Sequence, residues 1–282
     1  MATRSWQAPQ RSDDDTTYRQ WAQGISDALR QFLTQTADTG QIAQPIVVPR
    51  PAASGVAGYE IFRFNDARQA DYPLFVKAEY ALSSVLTTPI LVISVGTGTD
   101  GAGGVTGVKL GRSSVQRSQP AISGPLENAA SGGDGWFCLA TGVIGAGAQW
   151  LLIERGRNID GTPNADVAYA WFPGGPSVAA WVTMPRDAPG VQATSMPVLQ
   201  AAAGEVASRN GEVPVYPIEP FFGRRRPPLL GFIVCAPVDV GQGVVLQTEM
   251  YGQMRTFRRF SEGAASSSVR SGIIPALCLR WE

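Results

Sequence analysis

The side chains that could do chemistry are few, and the most informative one is missing. Among 282 residues there is no histidine, which excludes a Ser-His-Asp triad, a Cys-His pair, a histidine-ligated zinc and a histidine general base. Carboxylate chemistry and a lysine-assisted nucleophile remain open, and lysine occurs only at Lys77 and Lys109. Glu60, Glu79, Glu154 and Glu249 are spread along segments of strand character without the arrangement of an acid/base pair. Their expected place is a polar sheet face.

Gly96-Thr97-Gly98-Thr99-Asp100-Gly101-Ala102-Gly103-Gly104 has the glycine density of a phosphate loop, but no Gly-Lys-Ser/Thr follows and strand character resumes at Val105. It reads as a hairpin loop in which glycine supplies positive φ. Asp100, and the group Asp160, Asn164 and Asp166, offer oxygens for calcium without a recognised ligand spacing. Gly175-Pro176-Ser177-Val178-Ala179 approaches a nucleophile elbow but lacks the final glycine and any histidine partner. Arg224, Arg225 and Arg226, with Arg258 and Arg259, could touch phosphates, yet no aromatic residues interleave them as in a stacking platform. An ion-pair patch between subunits, or a solvated loop, is the expected role. Cys138, Cys235 and Cys278 lie far apart in apolar runs and read as buried free thiols. No catalytic residue, metal ligand or cofactor site is assigned.

The elements that must carry these residues are mostly strands. Leu74, Val76, Ala78 and Tyr80 alternate with Lys77 and Glu79, the period of a half-buried strand, and Ile90–Val95 is apolar throughout, as in a strand covered on both faces. With 16% charged residues, 44% hydrophobic, 32 Gly and 21 Pro, the chain suits many short strands joined by tight turns. Equal numbers of acidic and basic residues leave no global field to attract nucleic acid or a membrane. No run of about 18 apolar residues spans a bilayer, and no signal-peptide pattern opens the chain, so a protein made in the cytoplasm is expected.

In chain order, residues 1 to 12 read as a flexible arm. Asp13-Asp14-Asp15 then opens a helix over about 14 to 34, whose stripe is Trp21, Ile25, Leu29, Phe32 and Leu33. That stripe must be buried on the sheet of its own domain or on a neighbouring subunit. A Pro-rich connector follows to residue 57, and 58 to 282 reads as one β-sandwich or jelly-roll-like domain. Residues 111 to 135 are expected to be a long Ser/Gly/Pro-rich loop, and 156 to 166 the turn of a hairpin.

The wording TQTADTGQI at 34 to 42, GYEIFRFND at 58 to 66, PLFVKAEY at 73 to 80 and SVGTGTDGAGGVTG at 94 to 107 resembles a group of virion structural proteins of tailed bacteriophages. The resemblance covers about the first third of the chain and implies a particle component, often near the tail, without a defined chemical activity. The resulting expectation is a non-enzymatic, mainly β virion subunit that associates with itself and with neighbouring particle proteins. Trp21, Ile25, Leu29 and Phe32 of the helix, with Arg224, Arg225 and Arg226, are its expected interface residues. A receptor- or carbohydrate-binding module using Trp136, Trp150, Trp171 and Trp181 is the competing reading, and a capsid decoration protein a further one.

Overall fold

A computed structural model describes residues 2–8, 14–37, 50–53, 55–82, 89–108, 110–116, 126–142, 148–173, 179–185, 191–193, 215–217, 228–235, 243–262 and 276–281. The fold is mainly β, with antiparallel sheets and one helix among the described residues, as the sequence leads one to expect. The chain divides into two compact units, Arg4–Asn128 and Met1–Thr3 with Ala129–Glu282. The division expected at residue 57 is therefore replaced by one after Asn128, and the strands beyond Gly58 do not form one unit.

In the first of these, residues 4–128, the helix α1 (Asp15–Phe32) begins at Asp14, whose carboxylate accepts from Thr17 N at 2.8 Å. This satisfies one of the donors that every helix start leaves open. Five strands form an antiparallel sheet in the order β2 (Thr34–Gln35), β3 (Gly55–Arg63), β4 (Phe75–Leu82), β5 (Pro89–Gly96) and β8 (Leu110–Gln116). The pairing of Gly58 with Tyr80, Glu60 with Ala78 and Phe62 with Val76 places Glu60, Phe62, Val76, Ala78 and Tyr80 on one face. Against that face lie Trp21, Ile25 and Leu29, all buried, while Phe32 is half-buried. Trp21 meets the Tyr80 ring edge-on at 6.1 Å and the Tyr18 ring at 5.6 Å. The helix thus covers the sheet of its own unit, the first of the two outcomes its stripe allows.

The strand β1 (Ala2–Ala8) stands where a flexible arm was expected. Its Trp6 lies on α1 at Gly24, where an added Cβ would sit 2.2 Å from Trp6 Nε1, and Arg4 pairs with Asp27 at 3.0 Å. The sequence of β1 hides this because it carries no period-2 apolar pattern. Gly24→Ala would raise helix propensity by about 1 kcal/mol, but it must displace the indole. The expected outcome is a lower melting temperature with red-shifted tryptophan emission; an unchanged emission spectrum would contradict the contact.

Residues 96–107 form the expected glycine-supported hairpin, with β6 (Gly98–Thr99) paired to β7 (Val105–Thr106). Gly103, at φ 92°, passes so close to the Tyr59 hydroxyl that no Cβ fits.

The unit of residues 129–282 holds a sheet in the order β9 (Leu126–Gly133), β10 (Trp136–Gly142), β11 (Ala148–Arg157), β12 (Pro163–Pro173), β13 (Ala179–Pro185) and β14 (Val191–Ala193), with the start of β1 at its edge. A five-stranded sheet runs β15 (Val215–Pro217), β16 (Phe232–Cys235), β19 (Ala276–Arg280), β18 (Gln253–Glu262) and β17 (Val245–Met250). Leu230, Ile233, Met250, Phe257 and Cys278 form a core cluster of this unit. The β11–β12 hairpin turns over residues 158–162 as expected, and Gly161, at φ 82°, passes under the Tyr251 ring. Where a loop was expected over 111 to 135, the described residues form β8 and β9 up to Gly133, and 117–125 lie outside the described residues. In β9 the buried side chains are small and include Asn128, Ala129, Ala130 and Ser131, so composition resembled a loop where packing required a strand.

Candidate functional site

Among the described residues two carboxylates, Glu60 and Glu154, one in each unit, are fully buried and organise the polar interior. Glu60 was expected on a polar sheet face and is fully buried. Its Oε1 accepts from Arg30 Nη2 at 2.5 Å and from Gln35 Nε2 at 3.3 Å, and its Oε2 accepts from Tyr80 Oη at 2.6 Å. Arg30 also donates to Ser26 Oγ at 3.0 Å. Burial first, and then the charge of Glu60, push the Tyr80 phenol well above its ordinary range, so it remains a donor. A buried charge left alone would be prohibitively costly, and here helix and sheet both supply partners. This cluster fixes how α1 sits on β3 and β4.

Glu154, also expected on a polar face, is likewise fully buried. Its oxygens accept from Leu230 N at 2.8 and 3.0 Å, from Gly231 N at 3.0 Å and from Arg157 Nε at 2.9 Å. Arg157 donates onward to Asp134 O at 3.0 Å and Gly161 O at 3.2 Å. In a regular strand, residues three apart point to opposite faces. Here the β11–β12 register shifts between Arg155 and Arg157, and Glu154 and Arg157 meet. The result ties β11 to the start of β16 through two main-chain N–H groups. Cys138 lies beside it, with Sγ 3.8 Å from Gly231 O. Burial, and secondarily Glu154, raise that thiol well above its ordinary value, which leaves it a protonated, unreactive group.

The remaining candidate residues have separate positions. Lys77 lies over the Tyr59 ring at 4.4 Å and 3.5 Å from Glu79, and Glu79 is buried against expectation. Only Glu249 of the four glutamates is exposed as expected. Asp100 Oδ1 closes its own loop by accepting from Ala102 N at 2.8 Å and Gly104 N at 2.7 Å. Those amides hold its pKa below the usual 3.8. A carboxyl depressed in this way stabilises the loop above its unfolded pKa, and the contribution disappears as pH falls through the folded value. The amide resonances of Ala102 and Gly104 should therefore titrate together below about pH 4; pH-independent shifts there would contradict the turn.

Asp160 Oδ1 accepts from Thr162 N at 2.9 Å and from Thr162 Oγ1 at 2.6 Å, and Asn164 donates to Asn158 at 3.1 Å, so this group too closes a turn. Among the described residues no group of three or more acidic or cysteine side chains is gathered as a metal site. Arg258 stacks on Trp281 at 4.8 Å and Arg259 is buried, so this pair does not present two guanidinium groups to a phosphate backbone. Trp136 is buried with Arg280 over its ring at 5.2 Å, which removes it from any exposed platform. Cys138 and Cys278 are buried free thiols. Arg224, Arg225, Arg226, Lys109, the segment 175–178 and the side chains of Trp150, Asp166, Trp171, Trp181 and Cys235 lie outside the described residues.

The chain matches no family model, curated protein or solved structure.

Proposed function

We propose that this chain is a structural subunit of a tailed-bacteriophage particle, at the tail or the head–tail region, that acts by contact with copies of itself and with neighbouring particle proteins. The observation that carries the reading is the use made of the two fully buried carboxylates, Glu60 and Glu154. In an acid/base site at least one carboxyl oxygen faces a cleft where a substrate can reach it. Glu60 and Glu154 instead have both oxygens engaged by groups that hold strands and helix in place. The phage-like wording of residues 34 to 107 supports the choice of particle.

The expected use of the helix stripe as an interface with other subunits is revised in this proposal. Trp21, Ile25 and Leu29 are buried in their own unit, so contacts with other subunits fall to exposed strands and turns. A nonsense mutation in the reading frame tests the proposal. Cells infected by the mutant phage should yield incomplete or non-infectious particles, with full titre restored by the chain supplied in trans. Normal particles of full infectivity would overturn it.

A further inference from the structure

Among the described residues β17 is the terminal strand of its sheet, and its edge suits a second copy of itself. The β17–β18 turn is the pair Tyr251-Gly252, both at positive φ, 56° and 68°. A two-residue turn of this kind flanks a hydrogen-bonded pair, here Met250 with Gln253. Bonded pairs alternate along an antiparallel ladder, and at the far end Arg259 N donates to Val244 O at 2.9 Å, in phase with that alternation. Arg259 O accepts from Gly243 N at 2.9 Å, so the ladder bulges at Gly243 and Val244, before the first outward residue Val245. It follows that Leu246 and Thr248 direct their main-chain groups toward β18, and that Val245, Gln247 and Glu249 direct theirs away from it. The side chains of these same three residues are exposed.

Edges of this type are normally blunted by lysine, proline or a bulge. The sequence Val245-Leu246-Gln247-Thr248-Glu249-Met250 contains no lysine or proline, its one charge is Glu249, and the bulge lies before Val245, while Val245 and Met254 of the adjoining strand are 50% and 61% exposed. The geometry points to a two-fold dimer in which β17 pairs antiparallel with β17 of a second copy, centred on Gln247. In this register Gln247 meets the second copy's Gln247, and Val245 meets its Glu249. Each outward N–H and C=O of the three residues then finds a bonded partner, and no other two-fold register pairs all of them.

Charge agrees with this choice. Val245 lies beside Arg258, so the second copy's Glu249, placed across Val245, shares a cross-strand row with Arg258. The two-fold axis repeats that row, and opposite charges in one row favour the pairing. Exposed Met254 closes each row next to Glu249. The inference deepens the self-association part of the proposed function, yet it concerns the purified chain alone, so it can fail while the particle role stands.

Sedimentation of the full chain at micromolar concentration should give twice the chain mass. Gln247→Lys, which puts two like charges on the axis at an exposed position, should return it to the single-chain mass with unchanged circular dichroism. Bonded residues face each other with Cα atoms about 5.5 Å apart, inside the range of a disulfide. Gln247→Cys should therefore cross-link to itself on oxidation, whereas Glu249→Cys alone should not. A wild-type chain that is monomeric at all concentrations overturns the inference, as does a dimer whose mass is unaltered by Gln247→Lys.

Discussion

Glu154→Leu is expected to lower the melting temperature of the unit 129–282 by on the order of 10 °C. The substitution leaves Leu230 N, Gly231 N and the Arg157 guanidinium without their acceptor in a buried setting. Removing one partner of a buried ion pair costs about 3–5 kcal/mol, and each kcal/mol shifts a domain of this size by about 2–4 °C. The double variant Glu154→Leu with Arg157→Leu separates causes. If the uncompensated guanidinium dominates, the second substitution recovers part of the loss, because a buried pair replaced by apolar groups is often close to neutral. Residual loss belongs to the two orphaned main-chain donors, each worth about 1–3 kcal/mol when unsatisfied. Calorimetry with amide exchange at Leu230 and Gly231 reads both terms. A Glu154→Leu chain that melts like wild type would show that the contact does not hold these strands.

The second large effect is in the other unit. Trp21→Ala should destabilise residues 4–128 by about 3–5 kcal/mol, the range for truncating a buried large aromatic, since Trp21 is 3% exposed and packs on Tyr80. Deleting residues 1–50 goes further, because it uncovers Phe62, Val76 and Tyr80 and leaves Glu60 without Arg30 and Gln35. The truncated chain is expected to bind a hydrophobic dye and to aggregate. If the helix were instead a detachable anchor, the same deletion would leave a soluble, cooperatively folding β protein. Dye binding together with a thermal melt of the truncated chain distinguishes the two.

Local periodicity made much of the fold legible. The spacing of Trp21, Ile25 and Leu29 marked the helix to within two residues, and the alternation of Val244, Leu246, Thr248 and Met250 with Gln247 and Glu249 marked β17, although Val244 is exposed and lies before the strand. The glycines of 96–104 were read as a hairpin because positive φ is a local requirement. What stayed hidden depends on partners far along the chain. Glu60 and Glu154 are charged residues on strands, and only Arg30, Tyr80 and the amides at 230 and 231 decide that they are buried. The division after Asn128 falls inside β9, within the Ser/Gly/Pro-rich stretch 111 to 135 that read as a loop and not as a boundary, while the Pro-rich stretch before residue 57 suggested a boundary that the packing of α1 overrides. β1 was missed because Trp6 is its one large apolar residue, whose place is set by the space at Gly24.

The central claim is that this protein works by occupying a place in an assembly, with its buried charges serving only to hold that shape. Quantitative mass spectrometry of gradient-purified particles from the phage proposed as its source tests this most directly. The account predicts the chain as a multi-copy component that stays with the particles through purification. Particles free of the chain, with the protein confined to the lysate of infected cells, would contradict it.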